Sequence, residues 1–387
     1  MSKIIFLIAI LFSMNTTAQV HKKITVSLKW EKAATLPPSK GQAKSIGFAG
    51  PINGVSDGVF ITAGGANFPN KMPWEGGAKY YSNEIYVLTK EGNNLTWIDH
   101  DQTLPEPVAY CGVTSTKKGI VCVGGENAAG LSKKAFLLNW DKNAKKAVIT
   151  SLPDLPEPLT NVAVAHIENM VYIAGGDEKD TSTNQFLRLD LQEENAHWNK
   201  LPDLPFELAN ASLIAQGKNL YMIGGRTKSK TGISQLHGTT FVYNTEKNTW
   251  NKLADICDGK NLAMLSAAAG ILLDKQYILM IGGDDGKTFH KIETLLSQIS
   301  KASSEAEKQK LTKEKNILVI NHKGFSKKLL FYNIPSNCWT EIGEYPYPAQ
   351  VTTAAVHWDG KIMMSNGEIK PGVRTPDVIE GWRVKQL

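Results

Sequence analysis

The chain has 387 residues, 42% of them hydrophobic, with 33 glycines and 17 prolines, a globular and turn-rich composition that favours many short strands over long helices. Its formal charge of +6 comes from one stretch, since Lys287 to Lys328 holds ten Lys against four Glu and the remainder is neutral. Basicity confined to one insertion argues against a nucleic-acid binder, and no apolar run is long enough for a membrane span.

At the N-terminus, Met1–Ala18 carries one Lys, the apolar run IIFLIAILF and a polar tail ending Thr16-Thr17-Ala18. Small residues at both recognition positions predict a signal peptide cut between Ala18 and Gln19, and hence a periplasmic or secreted protein. The mature chain, residues 19–387, then repeats itself. An apolar strand ending in Gly-Gly recurs as GVFITAGGAN, GIVCVGGEN, MVYIAGGDE, NLYMIGGRT and YILMIGGDD, with IMMSNGEIK as a sixth copy in which Asn366-Gly367 replaces the doublet. Another short strand precedes each copy. A third follows, such as NEIYVLT or TTFVYNT, and then a fourth that usually carries a tryptophan: Trp97, Trp198, Trp250 or Trp339. Four strands per unit at a spacing of roughly fifty residues predict an all-β fold, a six-bladed β-propeller whose blades are each too small to bury their faces alone. The doublets are expected where strands converge on the central channel, since glycine permits close backbone approach.

The last unit has only three strands after Pro348. The segment ITVSLKWEKAATLPP, with Trp30 and Leu36-Pro37, has the pattern of an outer strand, so residues 24–31 are expected to complete blade six and close the ring. One connection breaks the period. Residues 286–325 include IETLLSQISKASSEAEKQKLTKEK, which has helical spacing and strong helix formers. By position this helical insertion joins the second and third strands of blade five, on the face where the doublet-bearing strands end. It is either a solvated excursion or a lid or wall of the channel.

The C-terminal run SNGEIKPGVRT sets Glu368 and Arg374 around the turn Lys370-Pro371-Gly372, presenting a carboxylate and a guanidinium at one rim of a sheet. Residues just after the other doublets should face the same mouth: Asn67, Glu126, Asp177, Arg226 and Asp284 among them. Such loop ends are polar in any propeller, and pairing with neighbouring blades explains each singly. Arg226 and Arg374 stand apart, because two guanidiniums on one rim can bind a carboxylate. The histidines at 166, 197, 237, 290, 322 and 357 are scattered, and Cys111, Cys122, Cys257 and Cys338 lack the short spacings of a zinc site, so no metal is expected. Cys111 and Cys122 lie on two arms of one hairpin, which leaves a disulfide open beside the simpler reading of buried thiols. There is no nucleophile-elbow or phosphate-cradling motif, which leaves carboxylate acid–base work with arginine for anion binding.

The Gly-Gly units resemble Kelch repeats. The combination of NGEIKPGVRT in the last blade, GGANFPN in the first, GGENAAG in the second and a helical insertion after another doublet is similar to the N-acetylneuraminate epimerase (sialic acid mutarotase) family of exported bacterial propellers. Here the Glu/Arg loop falls last, as in a cyclically permuted branch. The resemblance implies an isomerase of a sugar acid, sialic acid as small-molecule substrate, no cofactor, Glu368 as proton acceptor and a functional Arg374. Arg226, Asn67 and Glu126 are substrate-binding candidates from their position alone. The subunit count stays open, a homodimer included. A rival from another class is a non-catalytic propeller that binds a glycan or protein partner through the same mouth.

Overall fold

The computed structural model describes residues 26–98 and 101–384, so the expected signal peptide lies outside the described residues. Six four-stranded antiparallel sheets form the blades of a propeller. Blade one is built from Ile52–Ser56, Val59–Ala63, Ile85–Glu91 and Asn94–Trp97, paired in chain order, and blades two to five repeat the plan. Blade six takes Ala355–Trp358, Lys361–Ser365 and Asp377–Val384 from the C-terminal end and its outer strand, Ser27–Thr35, from the N-terminal end. Ser27 opposes Val384 and Thr35 opposes Asp377, so the two ends of the described chain close one sheet. The strand runs four residues further than the expected 24–31, and residues 24–25 lie outside the described residues.

Apolar burial explains why the units need each other. The buried side chains fall into six clusters, each shared by two adjacent blades: Ile52, Ile61 and Val87 of blade one meet Ile120, Cys122 and Leu138 of blade two, and Phe60 and Leu88 meet Trp358, Met363 and Val378 across the seam. Removing this apolar surface from water, at about 25 cal/mol per Å², is available only when neighbours stack. The tryptophans of the outer strands add a directional link. Trp97 Nε1 donates to the Thr35 carbonyl (2.9 Å), Trp198 to Pro153 (2.8 Å), Trp250 to Pro202 (3.2 Å) and Trp339 to Ala254 (3.2 Å), each reaching back to the end of the preceding blade.

The doublets do not line the channel, which corrects the expectation from sequence. They end the second strand of each blade and receive the loop of the next one: Gly65 N–H donates to Val108 O (2.8 Å), Gly125 to Leu159 O (2.7 Å), Gly176 to Leu208 O (2.8 Å) and Gly225 to Leu265 O (2.7 Å). A Cβ on Gly64, Gly124, Gly175 or Gly224 would collide with those same carbonyl oxygens, and all four have φ between +62° and +67°. Glycine is therefore required by the contact between blades.

The channel end is instead framed by a closed circle of backbone hydrogen bonds. Tyr110 N–H donates to Gly50 O (2.8 Å), Asn161 to Tyr110 (2.9 Å), Asn210 to Asn161 (3.1 Å), Ala267 to Asn210 (2.9 Å), Thr352 to Ala267 (3.3 Å) and Gly50 back to Thr352 (2.8 Å). All six residues are left-handed, with φ between +52° and +62°. For the five that are not glycine this conformation is costly, roughly 1–2 kcal/mol each, and the circle of bonds holds them there.

The insertion forms two helices, α1 (Lys287–Lys301) and α2 (Glu305–Ile320), between the second and third strands of blade five. Ser304 caps α2 by accepting from Glu307 N–H (3.2 Å). Both helices are tied to the mouth. The Glu293 carboxylate accepts from Ser234 N–H (2.7 Å) and its hydroxyl (2.8 Å), and Asn316 Nδ2 donates to Trp74 O (3.2 Å). No helix among the described residues is long and apolar enough to cross a membrane.

Candidate active site at the channel mouth

The residue preceding each member of the hydrogen-bonded circle pairs with the residue just after a doublet: Ala49 with Ala66, Ala109 with Glu126, Thr160 with Asp177, Ala209 with Arg226, Ser266 with Asp284 and Val351 with Glu368. Five of these six equivalent positions around the mouth are thus charged, which follows from a backbone repeat that fixes where each side chain emerges.

Their surroundings differ. Glu126 accepts from the Tyr81 hydroxyl (2.7 Å) and Lys79 Nζ (3.2 Å), and burial together with this carboxylate pushes the Tyr81 phenol up to about 12. Asp177 and Arg226 hold each other between blades three and four in a two-pronged pair of 2.6 and 3.1 Å, with side chains 4% and 12% exposed. Ser182 (2.9 Å) and Asn161 (3.0 Å) donate the remaining hydrogen bonds to that carboxylate. Asp284 accepts from Gly286 N–H (2.7 Å), and burial, with Asp285 and Glu368 nearby, raises its pKa.

Glu368 and Arg374 are cross-strand partners in a two-stranded hairpin, Glu368–Lys370 with Val373–Arg374. The turn does what its residues require: Gly372 takes φ +82° and its N–H donates to Glu368 Oε1 (2.7 Å). A Cβ on Gly372 would press on Pro73 and Trp74 at 3.0–3.2 Å, so this turn packs under the same loop that α2 touches. Arg374 Nε donates to Ala66 O of blade one (3.3 Å), and its guanidinium lies over the Phe68 ring at 4.8 Å. Its Nη1 is 3.3 Å from Glu368 Oε1, yet it is buried and makes no hydrogen bond. A buried guanidinium nitrogen without a partner is costly, and a bound anion would supply the missing acceptor.

Sequence reasoning did not single out Tyr110, Lys79 or Tyr81. Lys79 Nζ lies 5.3 Å from the Tyr110 ring and 5.5 Å from the Tyr81 ring. Burial pushes the Tyr110 phenol up, against the pull of the Lys79 and Arg374 charges. No motif marks these residues in the sequence.

Of the remaining candidates, Asn67 is 1% exposed and donates to Gly47 O (3.0 Å), while its Oδ1 is buried without a partner. Arg226 and Glu126 line a cavity of about 1180 Å³ together with Tyr81, Asp177 and Glu293 of α1, so the insertion forms part of its wall. Glu368 and Arg374 are not on that wall; Lys79, which pairs with Glu126 on it, lies over the ring of Tyr110, a residue that lines the second cavity. The guanidiniums of Arg226 and Arg374 consequently serve different partners, one locked onto Asp177 and one with an open nitrogen. A second cavity of about 540 Å³ is the central channel, lined by the first strands of the blades. Cys111 and Cys122 are free thiols, and Cys122 is buried. Among the described residues no group of three or more His, Cys, Asp or Glu side chains is arranged to hold a metal ion.

A family model described as N-acetylneuraminate epimerase matches residues 12–147 and 152–386. N-acetylneuraminate epimerase of Salmonella typhimurium (strain LT2) is 29% identical over 233 residues, covering 59% of this chain and 58% of that protein. The proteins of the same name from Salmonella arizonae and Pasteurella multocida (strain Pm70) are each 28% identical, over 239 and 230 residues, again covering 59% of this chain and 58% of theirs. The matched portion therefore spans less than two thirds of the length of these curated relatives.

Proposed function

The chain belongs to the N-acetylneuraminate epimerase family, and from that premise we propose that it is a mutarotase interconverting the anomers of N-acetylneuraminic acid. The observation that carries the reading is the buried, unpartnered Nη1 of Arg374 beside the Glu368 carboxylate. Sialic acid has a hydroxyl and a carboxylate on its anomeric carbon, and changing anomer means opening the ring and closing it on the other face. Glu368 takes the proton of the anomeric hydroxyl as the bond from that carbon to the ring oxygen breaks, and returns it on closure. Arg374 receives the substrate carboxylate, which holds the open-chain keto acid until it recloses. The existing hydrogen bond from Gly372 N–H keeps Glu368 oriented meanwhile.

Glu368→Gln is the direct test. It keeps the acceptor for Gly372 N–H but cannot take a proton, so exchange between anomers, followed by NMR on freshly dissolved sialic acid, should slow by about 10² to 10⁴ with an unchanged melting temperature. Wild-type exchange in this variant would remove Glu368 from the reaction. Saturable binding of sialic acid by the wild type with no acceleration of exchange would favour the non-catalytic glycan-binding reading. The residues Met1–Ala18 support export to the periplasm or beyond, checked by finding the protein in that fraction with Gln19 at its N-terminus.

A further inference from the structure

Ring opening needs a proton donor for the ring oxygen as well as an acceptor for the anomeric hydroxyl, and one carboxylate does not supply both at the same moment. We propose that the Tyr110 phenol is that donor, working opposite Glu368 in the same opening; the proposal rests on the mutarotase reading above.

Four observations converge on this residue. Tyr110 is the only member of the hydrogen-bonded circle with a large side chain, the others being Gly50, Asn161, Asn210, Ala267 and Thr352. Its backbone is held on both sides, donating to Gly50 O and accepting from Asn161 N–H at φ +56°, and its ring packs so closely on Gly50 that a Cβ there would lie 2.4 Å from Cδ1. Arg374, whose charge the phenol feels, is a donor only and cannot take the phenol proton. No acceptor takes that proton among the described residues. Finally, Lys79, at 5.3 Å from the ring, and Arg374 are two positive charges that favour the phenolate that donation leaves behind. Burial works in the complementary direction, raising the phenol's pKa so that it holds its proton at neutral pH until the ring oxygen calls for it.

The proton balance closes. On opening, the anomeric hydroxyl proton passes to Glu368, the bond between the anomeric carbon and the ring oxygen breaks, and the ring oxygen takes the Tyr110 proton to become a free hydroxyl. The new carbonyl then turns its other face. On closing, that hydroxyl attacks the carbonyl carbon, returning its proton to Tyr110, while Glu368 gives its proton to the carbonyl oxygen. The protein ends as it began, with no oxidant, reductant or metal consumed.

The experiment is Tyr110→Phe, which keeps the ring under Lys79 and the left-handed backbone but removes the phenol proton. The expected result is a fall of about 10² in the anomer exchange rate at saturating sialic acid, with sialic acid affinity within about twofold of wild type. An unchanged rate overturns the proposal while leaving the mutarotase reading intact, provided the wild type accelerates exchange; if the wild type does not, it is the earlier reading that fails. A parallel loss of rate and affinity would also overturn it, since that marks a residue that merely positions Arg374. Should Tyr110→Phe fold poorly, placing a fluorinated tyrosine at position 110 supplies a second measurement. Its phenol is more acidic at the same shape, so the alkaline fall of the exchange rate should move towards neutral pH, and an alkaline limb that stays where it was refutes the donor role.

Discussion

Two carboxylate–guanidinium pairs sit on the same rim, and the contrast between them separates scaffold from site. Asp177 and Glu368 occupy equivalent places after the second strands of blades three and six. Asp177 meets Arg226 through two aligned hydrogen bonds, with Ser182 and Asn161 filling the rest of its lone pairs. Glu368 meets Arg374 at 3.3 Å without a hydrogen bond, and the guanidinium nitrogen that faces it has no partner. A satisfied pair between two blades fixes the distance between them; an unsatisfied pair within one hairpin stores an electrostatic demand that a ligand can meet. Identical chemistry thus takes opposite roles according to whether its hydrogen bonds are complete.

That contrast can be broken by substitution. The largest effect on folding should come from Asp177→Ala, which leaves the Arg226 charge buried and uncompensated and should destabilise by about 3–5 kcal/mol, read as a lowered denaturation midpoint. Loss of the midpoint to the same degree in Arg374→Ala would erase the distinction. For Arg374→Ala the expected loss is instead in recognition: affinity for sialic acid should drop about 10- to 100-fold, the scale of a hydrogen bond to a charged group, while a neutral ester of the same sugar is held as before. Calorimetric titration with both ligands checks it, and equal losses for the two would argue against carboxylate recognition. The smallest effect is expected from Asp284→Asn. Burial raises the folded-state pKa of Asp284, and a raised carboxyl pKa destabilises the fold once pH exceeds the unfolded value. The Asn variant, which can still accept from Gly286 N–H, should therefore melt higher than wild type at pH 7 and converge with it in acid. A variant that melts lower at pH 7 would show that the charge is needed by something else at the mouth.

How much of this was legible beforehand depended on whether a residue's role leaves a local mark. The blades were readable because the doublet repeats and each unit carries its own strands, and the seam was readable because Trp30 and Leu36-Pro37 repeat the outer-strand pattern at the wrong end of the chain. Glu368 and Arg374 were readable because Lys370-Pro371-Gly372 dictates a turn between them. The role of the doublets was misplaced, since close approach was foreseen but not its partner, the carbonyl of the next blade. The circle framing the channel had no signature at all: Tyr110, Asn161, Asn210, Ala267 and Thr352 share a backbone conformation but no side-chain chemistry. Arg226 was correctly placed on the rim, yet its engagement by Asp177 joins positions 49 residues apart and needs the blade geometry to be seen.

The six hydrogen bonds that frame the channel all run in the same sense, each blade's N–H pointing to the carbonyl of the blade before it. Head-to-tail peptide dipoles arranged tangentially around a loop sum to nearly nothing along the axis, unlike those of a helix, whose start carries an effective positive charge. The axle of this propeller consequently offers an incoming anion no field of its own. Whatever draws a carboxylate to this end of the molecule must be carried by individual cationic side chains, of which Arg374, unlike the locked Arg226, has a nitrogen to spare.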